Sequence, residues 1–139
     1  MKEIILKGHK GSRGKAEGQA MVSKQAICWL KTIDLNGLVV EKGNNLYGES
    51  IAGAILVFPT LKGSTSGSYK LYELALQGHA PKAIINTKAD SVTLSGAILG
   101  DIPLVHKFDV EPTEVIETGD KVMVDGDTGT VTIMKQQAM

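Results

Sequence analysis

Between residues 54 and 85 the chain reads as strand, glycine-hydroxyl loop, helix and strand, and this order restricts the fold more than any other feature. Ala54-Ile55-Leu56-Val57-Phe58 is an unbroken apolar run with no polar alternation, as in a strand buried on both faces, and Pro59 closes it. Lys62-Gly63-Ser64-Thr65-Ser66-Gly67-Ser68 then leads into residues 69–77, where Leu71, Leu74 and Ala75 recur at helical spacing and Gly78 is a natural stop. After Pro81 comes a second apolar strand, Ala83-Ile84-Ile85. Strands joined through a helix run parallel, with a right-handed crossover. The chain is therefore expected to be α/β.

The remaining segments add short strands. Residues 2–6, 19–22 and 38–40 have strand character, as do residues 102–105 despite Pro103. Residues 122–124 and 130–133 flank Asp125-Gly126-Asp127-Thr128-Gly129 as a β-hairpin. Residues 92–99 fit either strand or helix, and residues 111–117 read as a loop or short turn. The stretch 8–18 mixes glycines with cations like a phosphate loop. However, five residues separate Gly8 from Gly14-Lys15, and Ala16 stands where a magnesium-binding hydroxyl is needed, so a solvated connection is expected. With no repeat and no linker, residues 1–139 form one compact domain with many short strands, a core over about 2–134 and a frayed tail at 135–139.

Composition narrows the function. Fifteen basic and fifteen acidic residues cancel, which removes the electrostatic argument for nucleic acid or an anionic membrane as partner. No apolar stretch approaches the ~20 residues that span a bilayer. The single cysteine, Cys28, cannot form an internal disulfide, and no signal-peptide core is present, so a cytoplasmic protein is expected. One thiol and three scattered histidines, His9, His79 and His106, build neither a zinc nor an iron–sulfur site, so any metal must come from elsewhere.

The loop 63–68 is the best candidate for chemistry. Where a helix starts, its first amides have no intrahelical partner and carry partial positive charge, and Lys62 adds a full charge. An anion could be held there by Gly63, Ser64, Thr65, Ser66, Gly67 and Ser68; equally, Ser64 or Ser66 could do no more than cap the helix. His79 and His106 lack a partnered nucleophile or acid at recognisable spacing and read as surface or satisfied histidines. Cys28 reads as a buried small hydrophobe, and Asp125 and Asp127 as turn formers.

Several separated blocks, taken in order, resemble the aconitase X swivel domain. They are Arg13-Gly14-Lys15-Ala16-Glu17-Gly18-Gln19-Ala20, Gly48-Glu49-Ser50-Ile51-Ala52-Gly53, Val57-Phe58-Pro59 running into Gly63-Ser64-Thr65-Ser66-Gly67-Ser68-Tyr69, Ala80-Pro81-Lys82-Ala83-Ile84-Ile85-Asn86, Gly96-Ala97-Ile98 and Ile102-Pro103-Leu104-Val105. The resemblance implies the swivelling β/β/α domain of the aconitase small-domain type. It further implies the small subunit of a two-chain hydro-lyase, whose large aconitase X-type subunit carries a [4Fe-4S] cluster. The implied reaction is dehydration of a small anionic hydroxy acid: mevalonate 5-phosphate to trans-anhydromevalonate 5-phosphate, or alternatively cis-3-hydroxy-L-proline. Ser64 would be the proton acceptor, its alkoxide stabilised by the helix amides near Gly67 and by a nearby cation, either Lys62 or an arginine of the partner.

Three stretches depart from the family pattern: Lys31-Thr32-Ile33-Asp34 in place of Gly-Gly-Val-Asp, Asn44-Asn45 in place of His-Pro, and Lys62 where arginine is common. The phosphohistidine swivelling domains are a different class with a similar glycine-serine loop, but they need a loop histidine, and none lies between Gly63 and Leu76. A non-catalytic interaction module is the remaining alternative.

Overall fold

The computed structural model describes residues 2–63 and 67–135. Its elements in chain order are β1 (Lys2–Lys7), β2 (His9–Ser12), β3 (Lys15–Val22), β4 (Ile55–Phe58), α1 (Gly67–Leu76), β5 (Ala83–Asn86), α2 (Ser91–Leu99), β6 (Leu104–His106), α3 (Pro112–Val115), β7 (Lys121–Asp125) and β8 (Thr130–Lys135). The strands form one curled sheet in the order β1-β8-β7-β3-β4-β5-β6-β2. Its two edge strands are consecutive in the chain, with only Gly8 between them, so the segment 2–12 pairs with β8 through its first half and with β6 through its second. The sheet thus curls back on itself around an inner core.

The two halves of the sheet read differently. In the antiparallel half, β7 and β8 alternate buried and less buried residues, and Val122, Val124, Val131 and Ile133 point inward. In the parallel half, every residue of β4, β5 and β6 is buried. Ile55, Val57, Ile85 and Val105 fill the inner core, while Leu56, Phe58, Ile84 and Leu104 face an outer layer. The β4–α1–β5 crossover has the expected parallel pairing, with Ile55 opposite Ala83 and Phe58 opposite Asn86. Helix α1 buries Leu71 and Leu74, and its C-terminus closes at Gly78 (φ +75°), after which the His79 amide returns to the Leu74 carbonyl at 2.8 Å. Helices α1 and α2 pack closely at Gly96, where a Cβ would lie 2.9 Å from Leu71 Cβ and 3.1 Å from the Ser68 carbonyl.

Several local expectations change. Residues 8–18 are mostly exposed or half-buried, as expected, but more regular than a connection: β2 pairs with β6, and the first part of β3 pairs with β7. Residues 38–40 make only isolated bridges, Val39 to Ile33 and Leu38 to Ser50, because they belong to a long excursion that folds on itself. Residues 92–99 are helical, with Asp90 as N-cap. Residues 111–117 contain α3, capped by Glu111 with Pro112 in its first turn. Pro103 falls before β6, which starts at Leu104. Lys135 is not frayed: it ends β8 opposite Lys2 and pairs with Asp120 at 2.7 Å and Glu117 at 3.1 Å. Residues 136–139 lie outside the described residues.

One of the parallel crossovers has no helix. Parallel strands β3 and β4 are joined by residues 23–54, which run from the C-terminal end of β3 back to the start of β4. This excursion supplies Ile27, Trp29, Ile33, Val39, Leu46 and Ile51 to the outer core, doing the covering work of a crossover helix. Its backbone is tied down by irregular backbone bonds, such as Val40 to Thr32 and Ile51 to Gly37, both at 2.8 Å, and by side chains. Asp34 Oδ1 accepts from the Asn36 and Leu38 amides, each at 2.9 Å. Asn44 donates to Ser23 Oγ at 2.8 Å, and Asn45 donates to the Val22 carbonyl at 2.8 Å.

Candidate active site

The C-terminal ends of β3, β4 and β5 meet the start of the excursion, the segment 59–63 and the starts of α1 and α2. Two backbone bonds join the excursion to the segment after β4: the Ile27 amide donates to the Thr60 carbonyl at 3.1 Å, and the Lys62 amide to the Ile27 carbonyl at 2.9 Å. A cleft of about 400 Å³ opens between them, lined by Cys28, Leu30, Lys31, Glu41, Lys62 and Gly63. Gly63 has φ +93°, and a Cβ there would lie 2.9 Å from Cys28 Sγ, so conformation and space both demand glycine.

Glu41 organises the charges of the cleft. One carboxylate oxygen accepts from Lys62 Nζ at 3.1 Å and the other from Thr32 Oγ1 at 2.9 Å. Lys62, followed by Thr32, holds the Glu41 carboxyl below the usual carboxylate range. Thr32 is fully buried, and its hydroxyl also accepts from the Cys28 amide at 3.0 Å. From α1, Lys70 Nζ donates to the Trp29 carbonyl at 3.1 Å and the Ile33 carbonyl at 2.6 Å, pinning both flanks of the same turn. Burial pushes the Lys70 ammonium down from its ordinary range. Beneath the turn, the Trp29 indole N–H donates to Thr93 Oγ1 at 3.1 Å, and its ring meets Phe58 edge-on at 5.8 Å.

Lys62 and Gly63 fall together in the cleft as expected, although Lys62 is paired with Glu41 instead of presenting an uncompensated charge. Gly67 opens α1 but is buried, with room only for a hydrogen against Trp29 and Val92, and neither it nor Ser68 lines the cleft. Ser64, Thr65 and Ser66 lie outside the described residues. His106 is buried, and its Nδ1 accepts from the Ala89 amide at 3.0 Å; burial lowers its pKa from the ordinary histidine value. His79 Nδ1 lies 3.0 Å from the Leu35 carbonyl. Asp125 and Asp127 bind turn amides, including Gly14 N–H to Asp127 Oδ1 at 3.0 Å. Cys28 is buried, as expected, but it also forms a wall of the cleft.

Lys31 and Glu41 were not predicted as site residues, since they lie some twenty to thirty positions before Lys62 and carry no spacing motif. Two hollows of about 530 and 600 Å³ are larger than the cleft, but they lie over the antiparallel strands and the residues around Gly119, where Lys15–Asp125 and Lys135–Asp120 already pair. Among the described residues, no group of three or more histidine, cysteine or acidic side chains could hold a metal ion. One cysteine in the whole sequence cannot supply the thiolates of an iron–sulfur cluster, so this chain does not fit such a group as its resident cofactor. No helix among the described residues is long and apolar enough to cross a membrane.

The family model described as the aconitase X swivel domain matches residues 5–133. The chain belongs to the aconitase X swivel domain family. Among its relatives, the phosphomevalonate dehydratase small subunit of Methanocella arvoryzae is 46% identical over 127 residues, covering 91% of this chain and 96% of that protein. The phosphomevalonate dehydratase small subunit of Methanocaldococcus jannaschii is 46% identical over 131 residues, covering 94% and 98%. In structure, this swivel domain superposes on a chain of the crystal structure of Thermococcus kodakaraensis aconitase X in its holo form with TM-score 0.90 and 45% identity, covering 95% of this chain and 99% of that one. The solution NMR structure of a UPF0107 protein gives TM-score 0.88 at 44% identity, covering 95% and 100%.

Proposed function

We propose that this swivel domain is the small subunit of a two-chain hydro-lyase. It dehydrates mevalonate 5-phosphate to trans-anhydromevalonate 5-phosphate in isoprenoid biosynthesis, with Ser64 as the proton acceptor. The observation that carries the reading is the charged cleft bounded by Gly63, the residue before Ser64, in a chain nearly co-extensive with relatives named phosphomevalonate dehydratase small subunit. That name on relatives over most of their length favours the phosphorylated substrate over hydroxyproline.

Elimination of water needs a base for the carbon-bound proton and an electrophile for the departing hydroxyl. The electrophile is assigned to a [4Fe-4S] cluster on the large subunit. This chain supplies the base and one wall of the cleft. A neutral serine is a weak base, so Ser64 depends on positive potential: the start of α1 follows it, and Lys62 precedes it. The Glu41–Lys62 pair fixes the lysine at that position while taking up part of its charge. In this reading the large subunit supplies the rest of the cleft. The working location is the cytoplasm, where a low-potential cluster and a small phosphorylated substrate coexist.

Anaerobic co-expression with the large subunit tests this reading. A heteromer that turns over mevalonate 5-phosphate, with neither chain active alone, is expected. Two chains that stay separate on gel filtration and are inactive when mixed would contradict it.

A further inference from the structure

The cleft contains three charged side chains, and two of them are committed to each other. Lys62 is paired with Glu41 at 3.1 Å, and the second oxygen of Glu41 is occupied by Thr32. Lys31 also lines the cleft, near enough for its charge to help lower the Glu41 carboxyl, yet among the described residues its ammonium makes no hydrogen bond or close ion pair. Two lysines against one carboxylate leave the cleft net positive, and Lys31 is the lysine that Glu41 does not hold by a hydrogen bond.

We infer that Lys31 is the anion-binding residue of this cleft and takes the phosphate of the substrate, which makes it a substrate-positioning residue. The inference rests on the dehydratase reading for the identity of the anion, but not for the existence of the site. Its basis is the way the residue is presented. The Lys31 and Thr32 amides both donate to the Cys28 carbonyl, at 3.1 and 2.7 Å, forming a tight turn. Thr32 anchors the turn in the interior, and Lys70 clamps the carbonyls of Trp29 and Ile33 on its two sides. With the backbone of the turn fixed, the exposed side chain of Lys31 is all that an anion must order. An ammonium on a flexible stem suits a phosphate as a point charge. Opposite it, Gly63 has no side chain to obstruct the approach, and Leu30 offers an apolar wall for the carbon skeleton.

Two measurements decide the matter. In the first, the full chain is titrated with inorganic phosphate and followed by amide NMR. Shifts at Lys31, Gly63 and Glu41 are expected in the wild type and absent in Lys31→Gln. No shifts in the wild type, or the same shifts in Lys31→Gln, overturn the site. In the second, the reconstituted heteromer is assayed with mevalonate 5-phosphate. Lys31→Gln should raise KM about tenfold with kcat within about twofold, Lys31→Arg should recover most of the loss, and Lys42→Gln, whose side chain is outside the cleft, should behave as wild type. An unchanged KM overturns the substrate contact, as does loss of heteromer assembly in Lys31→Gln, which would make Lys31 an interface residue. If the wild-type heteromer has no dehydratase activity, the functional reading falls, and the phosphate titration still decides the site.

Discussion

The β7–β8 hairpin and the excursion 23–54 build their parts of the same molecule in opposite ways. The hairpin is regular: Val122 faces Ile133 and Val124 faces Val131 across a ladder that satisfies its own backbone. The excursion has only isolated bridges and irregular turn bonds, and Asp34, Thr32, Asn44 and Asn45 satisfy further amides of it through their side chains. The regular region holds one end of the curled sheet, whereas the irregular one can bend around a cleft and place Cys28, Lys31 and Glu41 there. The cost is dependence on a few anchors. Deleting an anchor should therefore damage the excursion more than an equivalent change damages the hairpin.

Trp29→Ala provides the largest test. It removes a fully buried indole and leaves Thr93 without its donor, and should cost about 3–5 kcal/mol in urea unfolding. Ile133→Val in the curled sheet should cost about 0.5–1.5 kcal/mol, less than the same change at the equally buried Ile33 of the excursion, and leave heteromer activity intact. Equal losses would erase the contrast between the two regions. Asn44→Ala removes a buried side chain that donates to Ser23 and accepts from Leu46, and should cost about 1–3 kcal/mol by the same measurement. Asp90→Ala should cost about 1 kcal/mol, because Asp90 Oδ2 caps the Val92 and Thr93 amides while its other oxygen is buried with no hydrogen-bond partner among the described residues.

Glu41 should give the smallest stability effect. Its carboxyl is held below the ordinary range in the folded state, first by Lys62 and then by Thr32, so its contribution is present above the ordinary carboxylate value and lost as pH falls through the depressed one. Because the pair is partly exposed, Glu41→Gln should change stability at neutral pH by no more than about 1 kcal/mol. It should also flatten the acid side of the stability–pH curve. An acid limb identical to wild type would remove Glu41 from the account.

The sequence was legible wherever neighbours in the chain are neighbours in space. The apolar run ending at Phe58, the helix closing at Gly78 and the hairpin around Gly126 follow from local periodicity and turn chemistry, and each is found. Curling of the sheet depends on Gly8 passing the chain from one edge to the other, a pairing between His9 and His106 that no local pattern encodes. The cleft was half legible. Lys62 and Gly63 stand in a loop whose composition shows its chemistry, but Glu41 reaches Lys62 only because Thr32 and Lys70 fold the excursion against α1. Such side-chain anchoring leaves no periodic trace.

The central claim is that this chain brings the proton acceptor to a site completed by its partner, and Ser64→Ala in the reconstituted heteromer tests it most directly. Gel filtration should show unchanged assembly while turnover of mevalonate 5-phosphate falls by about 10²–10⁴-fold. An assembled Ser64→Ala heteromer with wild-type turnover would contradict it.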